Sequence, residues 1–273
     1  MDNTTSFPLI AVDIGNSQIK LGRFDEAPAA DSLPEPDSTL QLDTDHWDPL
    51  EIALWLAPYR PADLCWRIAS VHGDATAKMA AWLVADGAEQ STQVLRHDLL
   101  PLKIQLPDPG VVGIDRLLGA VAANCLRDSS RPAIVVDLGT AITIDVVAAD
   151  GSFQGGAILP GIGMSTRALT QYTHQLPDIG LTELIDPPPA LGTSTHEAIT
   201  SGIYWGAIGA VRLLMERMSA ELIAGQSGEE SAAGAAQIFL TGGAAHSVAE
   251  HFGEGARYEP NLILAGLVLG SLG

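Results

Sequence analysis

The chain has 273 residues, of which 47% are hydrophobic and 17% are charged, a balance that indicates a compact globular protein and excludes intrinsic disorder. Its 14 Lys and Arg against 33 Asp and Glu give a net charge of −19, which disfavours nucleic acid and anionic membrane surfaces as partners. The sequence has no apolar run of 18 residues and no basic N-terminal signal, so we expect a cytoplasmic protein. Cys65 and Cys125 lack metal-ligand spacing, and we expect both to be reduced thiols.

The first predicted element is a β-hairpin, with an apolar strand over 8–13 and a second strand over 17–24. Asp13 ends the first strand and Gly15 lies in the turn. Glycine lets backbone N–H groups approach phosphate oxygens, and a carboxylate beside it can face a metal ion or its waters. Lys20 alternates with apolar positions of the second strand, so it either adds a positive charge for a phosphate or lies on the solvent face.

The next segment, 25–48, contains eight Asp or Glu and no Lys or Arg. We expect a solvated surface excursion there. Periodicity then predicts a helix near 48–57, a strand over 64–71, a helix over 74–86 and a short strand near 92–96.

A further helix is predicted to open at Gly113, with Leu117 and Leu118 on its apolar face. Asp115 and Arg116 fall in its first turn. The helix dipole favours an acidic residue at that end but gives no reason for an arginine. Two interpretations therefore stay open: Asp115 is a helix-terminus residue, or it is a base beside an anion that Arg116 binds.

The central stretch predicts a second hairpin of the same kind. An apolar strand over 134–136 runs into Asp137, the turn contains Gly139 and Thr140, and a second strand covers 141–147. A carboxylate, a glycine and a hydroxyl in this order suit a phosphate and its cation.

The two hairpins are 124 residues apart, from Asp13 to Asp137. Self-similarity at nearly half the chain length predicts a duplication rather than ordinary turn chemistry. We therefore expect two similar α/β lobes, over 1–112 and 113–273, each offering a phosphate-binding hairpin to a shared cleft.

The longest predicted helix is capped by Thr195 and carries three glycines on one face, Gly202, Gly206 and Gly209. Glycine costs a helix about 1 kcal/mol relative to alanine, so this face indicates close packing of a second helix, with a ligand contact as the further option. The other elements expected in this half are a strand over 153–158, a helix over 163–172, a flexible loop over 224–236, a strand over 237–241 that ends in Gly242-Gly243, and a closing core helix over 260–272.

In combination and order, these motifs resemble type III pantothenate kinase. The residues that carry the resemblance are Asp13-x-Gly15-Asn16, Gly113-x-Asp115-Arg116, Asp137-x-Gly139-Thr140-Ala141-x-Thr143-x-Asp145, Gly155-Gly156-x-Ile158-x-Pro160-Gly161 and Thr241-Gly242-Gly243. The resemblance implies an α/β fold with two ribonuclease-H-like, actin-like ATPase lobes around a nucleotide cleft. It also implies ATP-dependent phosphorylation of pantothenate to 4′-phosphopantothenate, the first step of coenzyme A biosynthesis.

The resemblance further implies roles for single residues. Asp115 is the general base, and Asp137 coordinates a monovalent cation, K⁺ or NH₄⁺, in addition to the Mg²⁺ that accompanies ATP. The ATP-binding residues are Asp13, Ile14, Gly15, Asn16, Ser17, Gln18, Ile19, Lys20 and Thr140. The pantothenate-binding residues are Gly113, Ile114, Asp115, Arg116 and Thr195. Members of the family are cytoplasmic homodimers, with the pantothenate site completed near the dimer interface.

The chain departs from the family pattern at two positions. Ser17 replaces the usual threonine and keeps its hydroxyl group. Leu106 stands where the family has a tyrosine against pantothenate, so a hydrogen bond is lost unless another aromatic residue such as Tyr172 or Tyr204 supplies it. The departure leaves a kinase of another small hydroxylated acid or sugar as one alternative. A non-catalytic regulatory relative is the other.

Overall fold

The computed structural model describes residues 5–29, 32–180, 184, 186–224 and 234–272. The chain divides into two compact units, the first formed by Met1–Leu126 with Asn261–Gly273 and the second by Arg127–Pro260. This division differs from the lobes expected at 1–112 and 113–273. The helix that starts after Gly113 and the last helix of the chain both belong to the first unit.

The first unit contains a five-stranded mixed sheet in the order β3-β2-β1-β4-β5. Strands β1 and β2 form the predicted hairpin, β3 extends it antiparallel to β2, and β4 and β5 continue it parallel to β1. The elements are β1 Leu9–Ile14, β2 Gln18–Phe24, β3 Ser38–Asp43, α1 Pro49–Leu56, β4 Cys65–Ser70, α2 Gly73–Ala85, β5 Thr92–Val94, α3 Ile114–Leu126 and the final helix, α7, Leu262–Gly270.

Helices cover both faces of this sheet. Alternate strand residues pack with buried residues of α1 and α2, among them Ile52 and Met79. On β2, a Cβ placed on Gly22 would lie 3.0 Å from Leu264 Cδ1, so α7 packs directly on the sheet. Helix α7 also packs closely on α3, because a Cβ on Gly266 would collide with the backbone of Leu118. This contact explains why α3 and α7 belong to one unit.

The second unit repeats the same architecture, with strand order β10-β9-β6-β7-β8. Strands β6, β7 and β8 are successive antiparallel neighbours, and β9 and β10 are added parallel to β6. The elements are β6 Ala133–Leu138, β7 Ala141–Val147, β8 Phe153–Pro160, α4 Ile162–Gln171, α5 Thr195–Ala224, β9 Gln237–Thr241, α6 Ala245–Val248 and β10 Ala256–Tyr258. The predicted α/β fold with two ribonuclease-H-like lobes is confirmed.

The acidic segment 25–48 is not only the surface excursion expected from its charge. Its second half forms β3, whose buried Leu42 packs in the core of the first unit. Leu40 and Leu42 alternate with polar residues, which is the two-residue period expected of an edge strand with one buried face. The exposed face of that strand carries Thr39, Gln41 and Asp43.

By length and composition alone, α5 could cross a membrane: 18 of its residues within Thr195–Leu222 have a mean hydropathy of 1.3. Ile199, Ile203, Tyr204 and Ile208 of this helix are buried in the core of the second unit. Core packing therefore accounts for part of its apolar character, since 39% of that window is buried. The predicted loop over 224–236 lies mostly outside the described residues.

Candidate active site

The first hairpin places Asp13 next to the last residue of β1, where it is half-buried between buried neighbours. Its register partners are Lys20 on β2 and Ala69 on β4, so the predicted lysine shares a sheet face with the carboxylate. The turn is closed by a hydrogen bond from Gly15 N to Gln18 O of 3.0 Å. Asn16 and the two residues after it are exposed, as an anion-binding turn requires.

A buried residue outside the predicted motifs also makes hydrogen bonds to this turn. Thr44, only 3% exposed, follows β3 and donates its hydroxyl to Gly15 O at 2.9 Å. Its backbone N–H donates to Ser17 O at 3.2 Å. The carbonyl groups of Gly15 and Ser17 are therefore both directed towards Thr44.

The start of α3 lies close to the carboxyl end of β1 within the first unit. Val71 N donates to Ile14 O at 3.0 Å, and a Cβ on Gly113 would lie 3.7 Å from Val71 Cγ1. The same Cβ would collide with the carboxylate of Asp115. Glycine at 113 therefore makes room for Asp115, and the structure brings that carboxylate to the end of the strand that leads into the first turn.

Burial raises the pKa of Asp115 above its ordinary value, while the backbone N–H and the charge of Arg116 oppose that rise. The opposing hydrogen bond runs from Arg116 N to Asp115 Oδ1 and measures 2.9 Å. A carboxylate with part of its hydration removed holds a proton more strongly than one in water. Asp115 therefore has the environment of a general base, and the interpretation as a helix-terminus residue alone does not account for its burial.

The second hairpin repeats the first in its own unit. Asp137 is also the fifth residue of a six-residue strand and is half-buried between buried neighbours. Thr143 of β7 and Thr241 of β9 are its register partners, so a carboxylate and two threonines lie on one face of the sheet. Oxygen ligands of this kind suit hard cations.

Two glycine backbones crowd the second turn. Gly242 has a φ of +92°, and a Cβ there would collide with the Asp137 carboxylate and with Leu138. A Cβ on Gly161 would collide with the carbonyl groups of Gly139 and Thr140. Both positions therefore require glycine.

The start of α5 differs from the prediction in its cap. Ser194, not Thr195, precedes the helix, and its hydroxyl accepts from Glu197 N at 3.2 Å. The Glu197 carboxylate in turn accepts from Thr193 N at 2.7 Å. Thr195 is the first helical residue and is exposed, so its hydroxyl is left for other partners than the helix terminus.

Thr195 lines a groove of about 740 Å³ within the second unit, between α4, α5 and the β7–β8 edge. The lining is mostly apolar, with Thr195 and Ser165 among its few polar members. Gly202 and Gly206 form part of the wall, and a Cβ on either, or on Gly209, would meet no atom within 4 Å. Among the described residues, no second helix packs closely on this glycine face, so the expectation of such packing is wrong for that part of the chain.

The aromatic residues considered as replacements at the Leu106 position lie elsewhere. Tyr204 is fully buried, and its hydroxyl lies 3.2 Å from His251 Nε2 and 3.3 Å from Ser247 O. Tyr172 is 81% exposed at the end of α4. Leu106 itself is half-buried in the irregular segment before α3. Core packing thus explains Tyr204, because its hydroxyl group is already engaged with Ser247 and His251.

Across the described residues, no three His, Cys, Asp or Glu side chains form a group that could hold a metal ion. A divalent ion that arrives with ATP does not need such a group. Mg²⁺ keeps several waters and is bound by one or two carboxylates together with substrate phosphates. Asp13, in the first hairpin, is a suitable single carboxylate for that kind of site.

A family model for type III pantothenate kinase matches residues 9–217. The type III pantothenate kinase of Rubrobacter xylanophilus is 32% identical, with 95% of each chain covered. Those of Chlorobaculum parvum, 32% identical with 98% of this chain and 95% of the relative covered, and Moorella thermoacetica, 33% identical with 95% and 96% covered, match to a similar degree.

Proposed function

The chain belongs to the type III pantothenate kinase family, and we propose that Asp115 and the hairpin Asp13–Lys20 carry out its reaction. The activity follows from the family. ATP phosphorylates pantothenate to 4′-phosphopantothenate, the first step of coenzyme A biosynthesis. The chain is thus a kinase that uses ATP with a divalent metal ion, and the proposal concerns which residues do what.

The observation that supports the base assignment is the buried carboxylate at the start of α3. Asp115 accepts the proton of the pantothenate hydroxyl as its oxygen attacks the γ-phosphorus of ATP and the bond to the β-phosphate oxygen breaks. The raised pKa of Asp115 improves a carboxylate as a proton acceptor. Gly113 and Ile114 fix the position of Asp115, because the first has no side chain and the second is anchored in the core.

The turn between β1 and β2 is the proposed phosphate-binding loop. Ile14 and Ile19 are buried strand residues that hold its two ends in register. Asn16, Ser17 and Gln18 are exposed between them, where backbone N–H groups can meet phosphate oxygens. Gly15 keeps the turn tight, Asp13 faces the metal ion or its waters, Lys20 adds positive charge, and Thr140 of the second hairpin is a further ATP contact. Mg²⁺ neutralises charge on the phosphates, which is much of what phosphoryl transfer requires.

Pantothenate carries a carboxylate, an amide and hydroxyl groups, and it therefore needs both a cation and hydrogen-bonding groups. Arg116 supplies the positive charge next to the base. Thr195, exposed at the start of α5, supplies a hydroxyl group. Both residues lie in the first turn of a helix, where backbone N–H groups also favour an anion.

Asp137 is the proposed ligand of a monovalent cation, K⁺ or NH₄⁺. Its carboxylate lies beside the hydroxyl-bearing residues Thr143 and Thr241 on one sheet face. Gly242 allows the backbone to approach it closely. Such a cation would add positive charge at this hairpin.

We also propose that the enzyme is a cytoplasmic homodimer. The exposed face of α5, with Gly202, Gly206, Gly209 and Leu213, is apolar and smooth, which suits a second copy of the chain. Neither Cys65 nor Cys125 forms a disulfide bond, which fits a reducing compartment. Light scattering of the purified protein tests the dimer, and Gly206→Glu is expected to yield monomers.

The experiment that tests the residue assignment is phosphoryl transfer from ATP to pantothenate, followed with and without K⁺ or NH₄⁺. Asp115→Asn should lower turnover by about 10³-fold or more, while ATP binding stays within twofold of the wild-type value. Asp108→Asn, at an exposed carboxylate in the preceding turn, is the matched control and should keep wild-type turnover. Retained turnover in Asp115→Asn would remove this residue from the base role.

A further inference from the structure

We propose that Thr44 is a positioning residue for ATP: it holds the Gly15–Gln18 turn so that backbone N–H groups point to the phosphates. This inference rests on the proposed phosphate-binding role of that turn. Thr44 lies outside every motif that relates the chain to its family, in the acidic segment after β3. It contacts no substrate in the proposed scheme and acts only through the turn.

Thr44 makes two hydrogen bonds to the turn, and each binds a different carbonyl group. Its hydroxyl donates to Gly15 O at 2.9 Å, and its backbone N–H donates to Ser17 O at 3.2 Å. The residue is 3% exposed, so neither bond competes freely with water.

The orientation of these carbonyl groups decides where the neighbouring N–H groups point. In a trans peptide the C=O and the following N–H point in opposite directions. When Gly15 O and Ser17 O are directed at Thr44, the N–H groups of Asn16 and Gln18 are directed away from it. Both of those residues are exposed, so their N–H groups face the side from which a phosphate arrives.

Thr44 is itself held in place by the turn that follows β3. Asp45 N and His46 N donate to Asp43 Oδ1 at 2.9 and 3.0 Å. Asp43 is also the register partner of Gln18, so the end of β3 lies directly beside the hairpin turn. The Asp43 carboxylate thus fixes the short turn that contains Thr44, which gives this part of the acidic segment a structural role besides solvation.

Loss of the Thr44 hydroxyl leaves Gly15 O without its side-chain hydrogen-bond donor at a partly buried position. One lost hydrogen bond of this kind changes an equilibrium on the order of tenfold. Because the bond from Thr44 N to Ser17 O remains, the turn should loosen rather than unfold. The expected effect is therefore a weaker ATP site in an enzyme that is otherwise intact.

The test compares Thr44→Val with wild type in the pantothenate phosphorylation assay and in direct titration with Mg-ATP. Valine keeps the shape of threonine but donates no hydrogen bond. We expect the KM and Kd for ATP to rise about tenfold, with the KM for pantothenate within twofold of wild type. Thr39→Val removes an exposed hydroxyl group from β3 of the same sheet, and it should leave both KM values unchanged.

A second pair covers the case in which valine disturbs the fold. Thr44→Ser and Thr44→Ala both lose the methyl group and differ only in the hydroxyl group. Serine should restore an ATP KM near wild type and alanine should not. An unchanged ATP KM in Thr44→Val or Thr44→Ala, or an equal rise in both KM values, would overturn the positioning role. A wild-type protein that does not phosphorylate pantothenate would instead refute the proposed function, whatever Thr44 does.

Discussion

The two hairpins match in their strands and differ in how their turns are held. Asp13 and Asp137 occupy the same place in strands with the same burial pattern. In the first hairpin, Thr44 binds the turn carbonyls of Gly15 and Ser17. In the second, backbone N–H groups of Gly161 and Ala244 bind the carbonyls of Thr140 and Leu138, each at 3.1 Å.

This difference predicts that the two turns are sensitive to different kinds of substitution. The first turn depends in part on the Thr44 hydroxyl group, which a point mutation can remove. A turn held by main-chain groups depends instead on the close approach of Gly161 and Gly242, which leaves no space for a Cβ. The first turn should therefore be weakened by loss of a hydrogen bond, and the second by a gain of volume.

The largest effect is expected at Gly242. Gly242→Ala adds a Cβ that collides with Asp137 and Leu138, at a residue whose φ is +92°. Strain and overpacking together should lower the free energy of unfolding by about 3 kcal/mol, measured by urea denaturation. Gly243→Ala is the matched control, because a Cβ there meets no atom within 4 Å. Equal stability of the two variants would show that the second turn is not closely enclosed.

A smaller effect should separate the two motif glycines. A Cβ on Gly15 would lie 3.1 Å from Gln18 O, whereas one on Gly139 would have its nearest neighbour at 3.4 Å, an ordinary contact. Gly15→Ala should therefore destabilise the protein by about 1 kcal/mol. Gly139→Ala should change its stability by less than about 0.5 kcal/mol. If thermal unfolding showed Gly139→Ala to be more destabilising than Gly15→Ala, this would contradict the view that the first turn is crowded by its own residues and the second by neighbouring segments.

The sequence could predict what depends on local pattern. Asp13 and Asp137 at strand ends, the helix that starts after Gly113, and the duplication of the sheet all follow from periodicity and repeats, and the structure contains them. Strand β3 is the exception, because the acidic composition of its segment indicates a solvated surface and only two leucines, Leu40 and Leu42, carry the strand alternation.

The remaining features depend on contacts between distant parts of the chain. The crowding of the second turn joins Gly161 and Gly242 to residues some 20 and 100 positions earlier, which no local pattern encodes. The role of Thr44 requires knowing that β3 ends beside the first turn. The position of α7 in the first unit likewise depends on its packing against α3, so the boundary expected at 112 could not be corrected from the sequence.

The smallest predicted effect is a change in stability, and it comes from a difference between two helices: α3, which follows the strands of the first sheet, and α7, which follows those of the second. Helix α7 begins with the buried Leu262, whereas its counterpart α3 begins with Ile114 and then Asp115, whose pKa is raised by burial. The folded state therefore binds this proton more tightly than the unfolded chain does. The stability that Asp115 contributes is fully present below its ordinary pKa of 3.8 and is lost as the pH rises through the folded pKa.

Asparagine resembles the protonated carboxyl at every pH and can still accept the hydrogen bond from Arg116 N. Asp115→Asn should therefore raise the free energy of unfolding at pH 7, by less than about 1 kcal/mol, although it abolishes turnover. The gain over wild type should disappear as the pH is lowered towards 3.8. Urea denaturation across this pH range measures it, and Glu254→Gln at an exposed site should show no such trend. A gain in stability coupled to a loss of activity would mark Asp115 as a residue kept for catalysis, whereas a loss of stability at pH 7 would mark it as a structural residue.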